Sequence, residues 1–295
     1  MTRLARCGLI FAFAGLLAGC EDGRLGVELS ADPPAAISTQ EVVVSIDGIT
    51  LRRDDGSEDH IEFDDTLRPN LMRFDNVGFP LLDAEALDAG DYTGIRVDYR
   101  DSDSDDSDNY LIDANGDRRA LKINAGTTFT PLDLKVKKKG KTYTLQLRID
   151  LRLSLVASGS TRSLTPVLRV VRDSKAASVS GSVKESLISS SDCRDGRSTG
   201  VGIAVYAFKK LDAGQQPDDY DGSAPDPVAS TPVVSDGSGD WRYNIGVLNP
   251  GDYTLALTCQ GEDENPSLSQ DDLDFLDDTH DVSLDDGETD DQDFN

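Results

Sequence analysis

Apolar side chains recur every second residue along most of this chain. The clearest run is Tyr143, Leu145, Leu147, Ile149, Leu151, Leu153 and Leu155, separated by Thr144, Gln146, Arg148, Asp150, Arg152 and Ser154. Period-two alternation is the signature of a half-buried strand, so it predicts one long strand here. Leu132, Leu134 and Val136 are its expected hairpin partner, through the turn Lys137-Lys138-Lys139-Gly140-Lys141. Leu25, Val27 and Leu29 alternate up to Asp32-Pro33-Pro34, and Val42, Val44 and Ile46 do so before Asp47-Gly48. Ile49 and Leu51 continue beyond, and Asp54-Asp55-Gly56-Ser57 turns the chain back into Ile61 and Phe63. Ile95, Val97 and Tyr99 predict a further strand, as do Val167, Val170 and Val171. The one candidate for helix is Leu82 to Leu87, ended by Gly90.

Residues 24–172 therefore read as one all-β domain. The polar, small segment 173–177 is a linker, and residues 178–295 form a second domain of short strands between turn-rich loops. The expected architecture is all-β, with two tandem antiparallel β-sandwiches of immunoglobulin or transthyretin type. Leu87-Asp88-Ala89-Gly90-Asp91-Tyr92-Thr93 in the first domain parallels Leu248-Asn249-Pro250-Gly251-Asp252-Tyr253-Thr254 in the second. Each resembles a tyrosine corner, in which a phenol caps nearby backbone at a sandwich edge. From Glu262 to Asn295 the chain carries fifteen acids and no lysine or arginine. Val282, Leu284 and Phe294 within it predict one or two edge strands.

The N-terminus carries a different pattern. Arg3 and Arg6 precede an apolar run from Cys7 to Ala18, closed by Leu16-Leu17-Ala18-Gly19-Cys20. The run is shorter than the about 20 apolar residues a spanning helix needs, and fits a secretory h-region. The ending resembles the lipobox of bacterial lipoprotein signals. That resemblance implies cleavage after residue 19, thioether attachment of diacylglycerol to Cys20 and acylation of its new amine. Several chains would hold firmly where one attaches marginally. Residues 20–23 would then be a short tether, reaching ~14 Å at ~3.5 Å per residue. Glu21, not aspartate, follows the cysteine, which points to the outer membrane.

Formal charge is −26, and removal of residues 1–19, with two arginines and no acid, makes the remainder two units more negative. Binding to nucleic acid phosphates by charge is excluded. Of the four cysteines, Cys7 leaves with the signal and Cys20 takes lipid, so Cys193 and Cys259 are an even pair in an oxidising compartment. A disulfide between them is expected. The only histidines, His60 and His280, stand near no nucleophile motif and read as solvent-exposed. Calcium is the one cofactor with a sequence rationale. Asp113, Asn115 and Asp117 match the start of an EF-hand loop and follow the acid run Asp101 to Asp108, but Arg118 and Asn124 stand where glycine and glutamate would be needed.

Several stretches carry a family resemblance. These are Gly23 to Leu29 with Asp32-Pro33, the strands Val42 to Leu51, Gly90 to Arg96, Leu147 to Leu155 and Leu164 to Val171. Together they resemble an uncharacterised family of bacterial, often lipid-anchored proteins defined only by a domain of unknown function. Val179 to Val183, Val205-Tyr206-Ala207, Ser235 to Trp241 and Leu248 to Leu255 are similar to carboxypeptidase-regulatory-like, or transthyretin-like, modules. That resemblance implies a non-catalytic accessory. The expectation is a lipid-anchored envelope protein, not an enzyme, that binds or scaffolds an envelope protein or glycan. The alternative is a carbohydrate-binding or adhesive module, with ligands stacking on Tyr220, Trp241 or Tyr243.

Overall fold

The computed structural model describes residues 23–295 apart from 36–37, 75–76, 101–107, 138–139, 159–160, 195–201 and 269–272. Cys20, the signal segment and most of the acid run after Arg100 lie outside them. The described chain is all-β, and none of its helices is long and apolar enough to cross a membrane.

In the first half, one sheet orders Leu168–Arg172, Thr142–Asp150, Gly23–Asp32 and Phe79–Leu87. A second orders Glu58–Leu67, Ile46–Arg53, Gly90–Tyr99 and Thr130–Val136. A third, of short strands, runs Leu155–Ser158, Thr161–Leu164, Arg118–Ile123, Tyr110–Ile112 and Glu41–Val43. Alternate residues of all three meet in one core, among them Leu25, Leu29, Ile49, Leu51, Ile95, Leu145, Leu147, Leu121 and Leu164. After the 3-10 turn Asp173–Lys175 come two four-stranded sheets. One orders Val234–Ser235, Trp241–Leu248, Ala177–Val183 and Thr289–Asp291, the other Pro227–Pro232, Ala204–Lys209, Gly251–Thr258 and His280–Leu284. Their facing sides share a core that includes Val179, Val205, Ile245, Leu255 and Phe294.

Several expectations are corrected. The sheets that hold Ile46–Arg53 and Ala204–Lys209 are antiparallel throughout, as expected, but others are mixed, because Gly23–Asp32 runs parallel to Thr142–Asp150, and Ala177–Val183 parallel to Thr289–Asp291. Thr142–Asp150 does not pair with Thr130–Val136, which joins Gly90–Tyr99 in another sheet. The lysine-rich turn thus links two sheets instead of closing a hairpin. Central placement between two partners buries Leu145, Leu147 and Ile149 completely, which a two-stranded hairpin could not do. The long strand stops at Asp150. There the carboxylate accepts the backbone N–H groups of Arg152 and Leu153 at 3.1 and 3.2 Å, and the Ser154 hydroxyl donates to the Asp150 carbonyl. This aspartate-centred turn overrides the alternation. Leu82 to Leu87 is strand, not helix, with a register shift where Ala84 adopts φ 55°.

The acidic C-terminal segment contributes two strands, as Val282, Leu284 and Phe294 suggest. Its last strand is admitted by Gly181, where a Cβ would fall 1.9 Å from the Gln292 carbonyl oxygen. Both tyrosine corners form. Tyr92 Oη donates to the Asp88 carbonyl at 2.9 Å, and Tyr253 Oη to that of Asn249 at 2.6 Å. Cys193 and Cys259 are joined by a disulfide.

Candidate functional site at the domain junction

The two halves are locked by buried charge. Asp32, at the end of the first strand, is fully buried between two arginines. Arg148 Nε reaches its Oδ1 at 2.6 Å, and Arg169 Nη2 its Oδ2 at 2.6 Å. Arg169 continues into the second half, donating to the carbonyls of Gly246, Val247 and Val228 at 3.1, 3.4 and 3.5 Å. Val247 holds φ 57°, a strained value for a β-branched residue, where its carbonyl receives Arg169.

Asp150 makes the complementary link. Its buried carboxylate accepts the Ser230 backbone N–H at 2.5 Å and the Ser230 hydroxyl at 2.9 Å, with Arg169 Nη1 at 3.6 Å. Burial, reinforced by the Asp32 charge, pushes its carboxyl up to about 6, against the opposing pull of Arg169, the Ser230 N–H and Arg152. Arg152, only 2% exposed, crosses the junction and donates from Nη1 to the Gly261 carbonyl. Its Nε has no hydrogen-bond partner among the described residues. A buried donor left in that state costs about 1–3 kcal/mol.

Apolar contacts surround these charges. Ala204, Tyr206, Phe208 and Ala256 face away from the second domain's core and are buried instead against Leu153, Leu273, Val167 and Phe275. Tyr206 donates to Glu264 at 2.9 Å. The strand Ala204–Lys209 is therefore buried on both faces, and its unbroken apolar run, Ala204 to Phe208, is what such burial requires. That run, and a period-two strand carrying Arg148, Asp150 and Arg152 on its polar side, were the available signals of docking. The alternation alone assigns those three residues to solvent.

Several clefts open at the junction, and two of them share a lip. The outer one, about 480 Å³, is walled by Arg148, Pro33 and Thr231 and floored by Ser180, Asn244 and Asp291. The other, about 210 Å³, lies between Arg152, Ile203, Val233 and Trp241. Pro232 and Val234 line both.

The residues singled out by sequence fall apart. Tyr220 packs on the apolar junction cluster, Trp241 lines the smaller cleft, and Tyr243 is 3% exposed in the second core. They form no shared aromatic platform. Asp113 Oδ1 accepts the N–H groups of Asn115 and Asp117, and Arg119 pairs with both Asp113 and Asp117 at 3.1 and 2.8 Å. Lost hydration pushes the Asp113 carboxyl up, but the Asp117 N–H, Arg119 and the Asn115 N–H together hold it below its ordinary value. Arg119 thus neutralises part of the charge of both carboxylates. Among the described residues, no three His, Cys, Asp or Glu side chains are placed to hold a metal ion.

The histidines divide: His60 is exposed, as expected, and His280 is not. His280 is only partly exposed and packs edge-on against Phe294, centroids 4.8 Å apart. His60 Nδ1 lies 3.0 Å from Thr50 Oγ1 and 3.2 Å from Asp98 Oδ2, with Arg96 on Asp98 at 2.9 Å. Thr50 faces both His60 and Arg96 across adjacent strands, so this row follows from register, which the sequence does not display. The Thr50 hydroxyl donates to Asp98 at 2.6 Å, and the residue is 2% exposed. Its proton is directed to the carboxylate, not the imidazole, and its oxygen is covered. The row has hydrolase-like components without an accessible nucleophile.

No curated protein matches this chain. Among solved structures, it is similar to the TIE protein of Bacillus anthracis (10% identity, 92% of this chain, 34% of that one, TM-score 0.21). It is also similar to a leucine-rich repeat protein from Bacteroides thetaiotaomicron (11%, 92%, 26%, TM-score 0.24). A fimbrial protein from Bacteroides ovatus is a third (10%, 93%, 49%, TM-score 0.20). The chain spans less than half the length of each, and at these TM-scores the likenesses bear on neither fold nor function. Residues 22–166, just under half of the chain, match the family model for a domain of unknown function, DUF4382.

Proposed function

We propose that this is a non-catalytic, lipid-anchored cell-envelope protein, tethered through Cys20 and most consistent with the outer membrane, whose docked domains bind or scaffold another envelope component. The observation that carries the reading is the sequence Leu16-Leu17-Ala18-Gly19-Cys20, followed after two residues by the strand that starts at Gly23. So short a tether keeps the first domain at the membrane. The junction supports a rigid body: its acids and arginines are engaged with one another and with backbone across the two halves.

The test is mass spectrometry of the membrane fraction after expression of the full chain in a Gram-negative host. The expected N-terminal peptide begins at Cys20 and carries a diacylglyceryl thioether and an amide-linked acyl chain. Cys20→Ser is expected to move the protein into the soluble or uncleaved pool. A wild-type peptide beginning elsewhere, with an unmodified Cys20, would overturn the anchor.

A further inference from the structure

We propose that two neighbouring clefts at the junction, which share Pro232 and Val234, form a binding site for a small carboxylate-bearing ligand whose body has an apolar face. The proposal rests on reading the molecule as a binding protein, and not on its anchorage.

Three observations converge. Arg152 is buried at 2% exposure and lines the smaller cleft, yet its guanidinium is committed at one end only, through Nη1 to Gly261. Nε has no partner, and no hydrogen bond from Nη2 is made among the described residues. The Nε–Nη2 edge is the side-on fork that receives a carboxylate through two parallel hydrogen bonds. The Arg152 charge acts on Asp150 and Tyr206, but neither hydrogen-bonds that edge, so a ligand anion would complete it.

Second, Arg148 walls the outer cleft and is likewise held from one side, by Asp32 on Nε. Neither arginine is free to swing, because Asp32 and the Gly261 carbonyl fix them. Third, the remaining lining of the smaller cleft is mainly apolar, with Ser235 as its one other polar side chain. Trp241, Ile203, Val233, Val234 and Pro232 surround Arg152 there. Few convergent charges in a mainly apolar concavity describe a ligand pocket. The outer cleft adds Ser180, Asn244 and Asp291, which suit hydroxyl groups. Sugar acids and aromatic acids share the required chemistry, a planar carboxylate on a body with an apolar face.

Trp241 is the chain's single tryptophan, so its emission reports the site without labelling. The full chain is titrated with galacturonate and with benzoate by calorimetry, and with galacturonate also by Trp241 fluorescence. Galactose and benzamide are the uncharged controls. Binding of at least one acid, with its control silent, is expected, and which acid binds identifies the source of the carboxylate. Arg152→Gln should abolish binding but could unfold the junction. Val234, 56% exposed on the shared lip, gives a second variant that folding tolerates. Val234→Glu should weaken the acid about fivefold and Val234→Lys should tighten it, as expected for a charge placed within one Debye length of the ligand. Silence of both acids, equal binding of the uncharged controls, or indifference to the sign at position 234 would overturn the site. Those outcomes leave the mass of the Cys20 peptide untouched, and an unlipidated Cys20 leaves this titration untouched.

Discussion

Asp150 has two tasks. It ends the strand begun at Thr142, and it receives the second domain through Ser230. All four of its close donors are N–H or O–H groups, from Arg152, Leu153 and Ser230. An amide in its place would turn its own N–H₂ toward donors, so Asp150→Asn is expected to destabilise the protein by ~3 kcal/mol, read from urea midpoints. Its pH dependence has a definite sign. The folded-state value near 6 lies above the ordinary 3.8, so folding takes up a proton between them. This group's contribution to stability is therefore fully present below about pH 4 and declines as pH rises through 6. The difference between wild type and Asp150→Asn should be about 1 kcal/mol larger at pH 5 than at pH 7. A difference that grows with pH would contradict the assigned burial. None of this is visible in the local sequence, where Asp150 occupies a polar slot of a regular alternation. Its burial comes from an element eighty residues further along, Ser230.

At the scale of elements, strand identity was legible and strand pairing was not. Period two located the strands around Leu25, Ile49, Ile95, Leu145 and Val282, because each buries one face regardless of its neighbour. The partner of Thr142–Asp150 was not legible, since its parallel neighbour Gly23–Asp32 lies more than a hundred residues upstream. Local turn chemistry favoured a hairpin that the central position overrode. The corners were legible because Gly-Asp-Tyr-Thr carries both the turn and the cap four residues apart. The disulfide closes a separation of 66 residues, for which loop entropy gives about 4 kcal/mol. Cys193→Ser with Cys259→Ser should lower stability by up to that amount, measured by urea unfolding with and without reductant. Insensitivity of the wild type to reductant would count against it. Gly181→Ala should displace the strand Thr289–Asp291 and raise amide exchange there, while exchange in Ala204–Lys209 stays slow. Unchanged protection from Thr289 to Asp291 would show that the contact with Gln292 is not limiting.

On the scale of the whole molecule, the sequence suggested two sandwiches joined by a linker, while the structure holds them as one body. The difference lies in Arg148, Asp150 and Arg152, which alternation assigns to solvent, and in Arg169 and the apolar run Ala204 to Phe208, which make contacts across the junction. Separated domains would expose Tyr206, Phe208 and Ala256, leave Asp150 without Ser230 and leave Arg169 without the carbonyls of Gly246 and Val228, which is strongly unfavourable. The two halves should accordingly unfold together. The direct test is scanning calorimetry of the chain from Gly23 onward, with and without the substitution Asp32→Asn. One transition with equal calorimetric and van't Hoff enthalpies is expected for the wild type, and a lower, broadened or split transition for Asp32→Asn. Two well-separated wild-type transitions, unmoved by Asp32→Asn, would contradict the account.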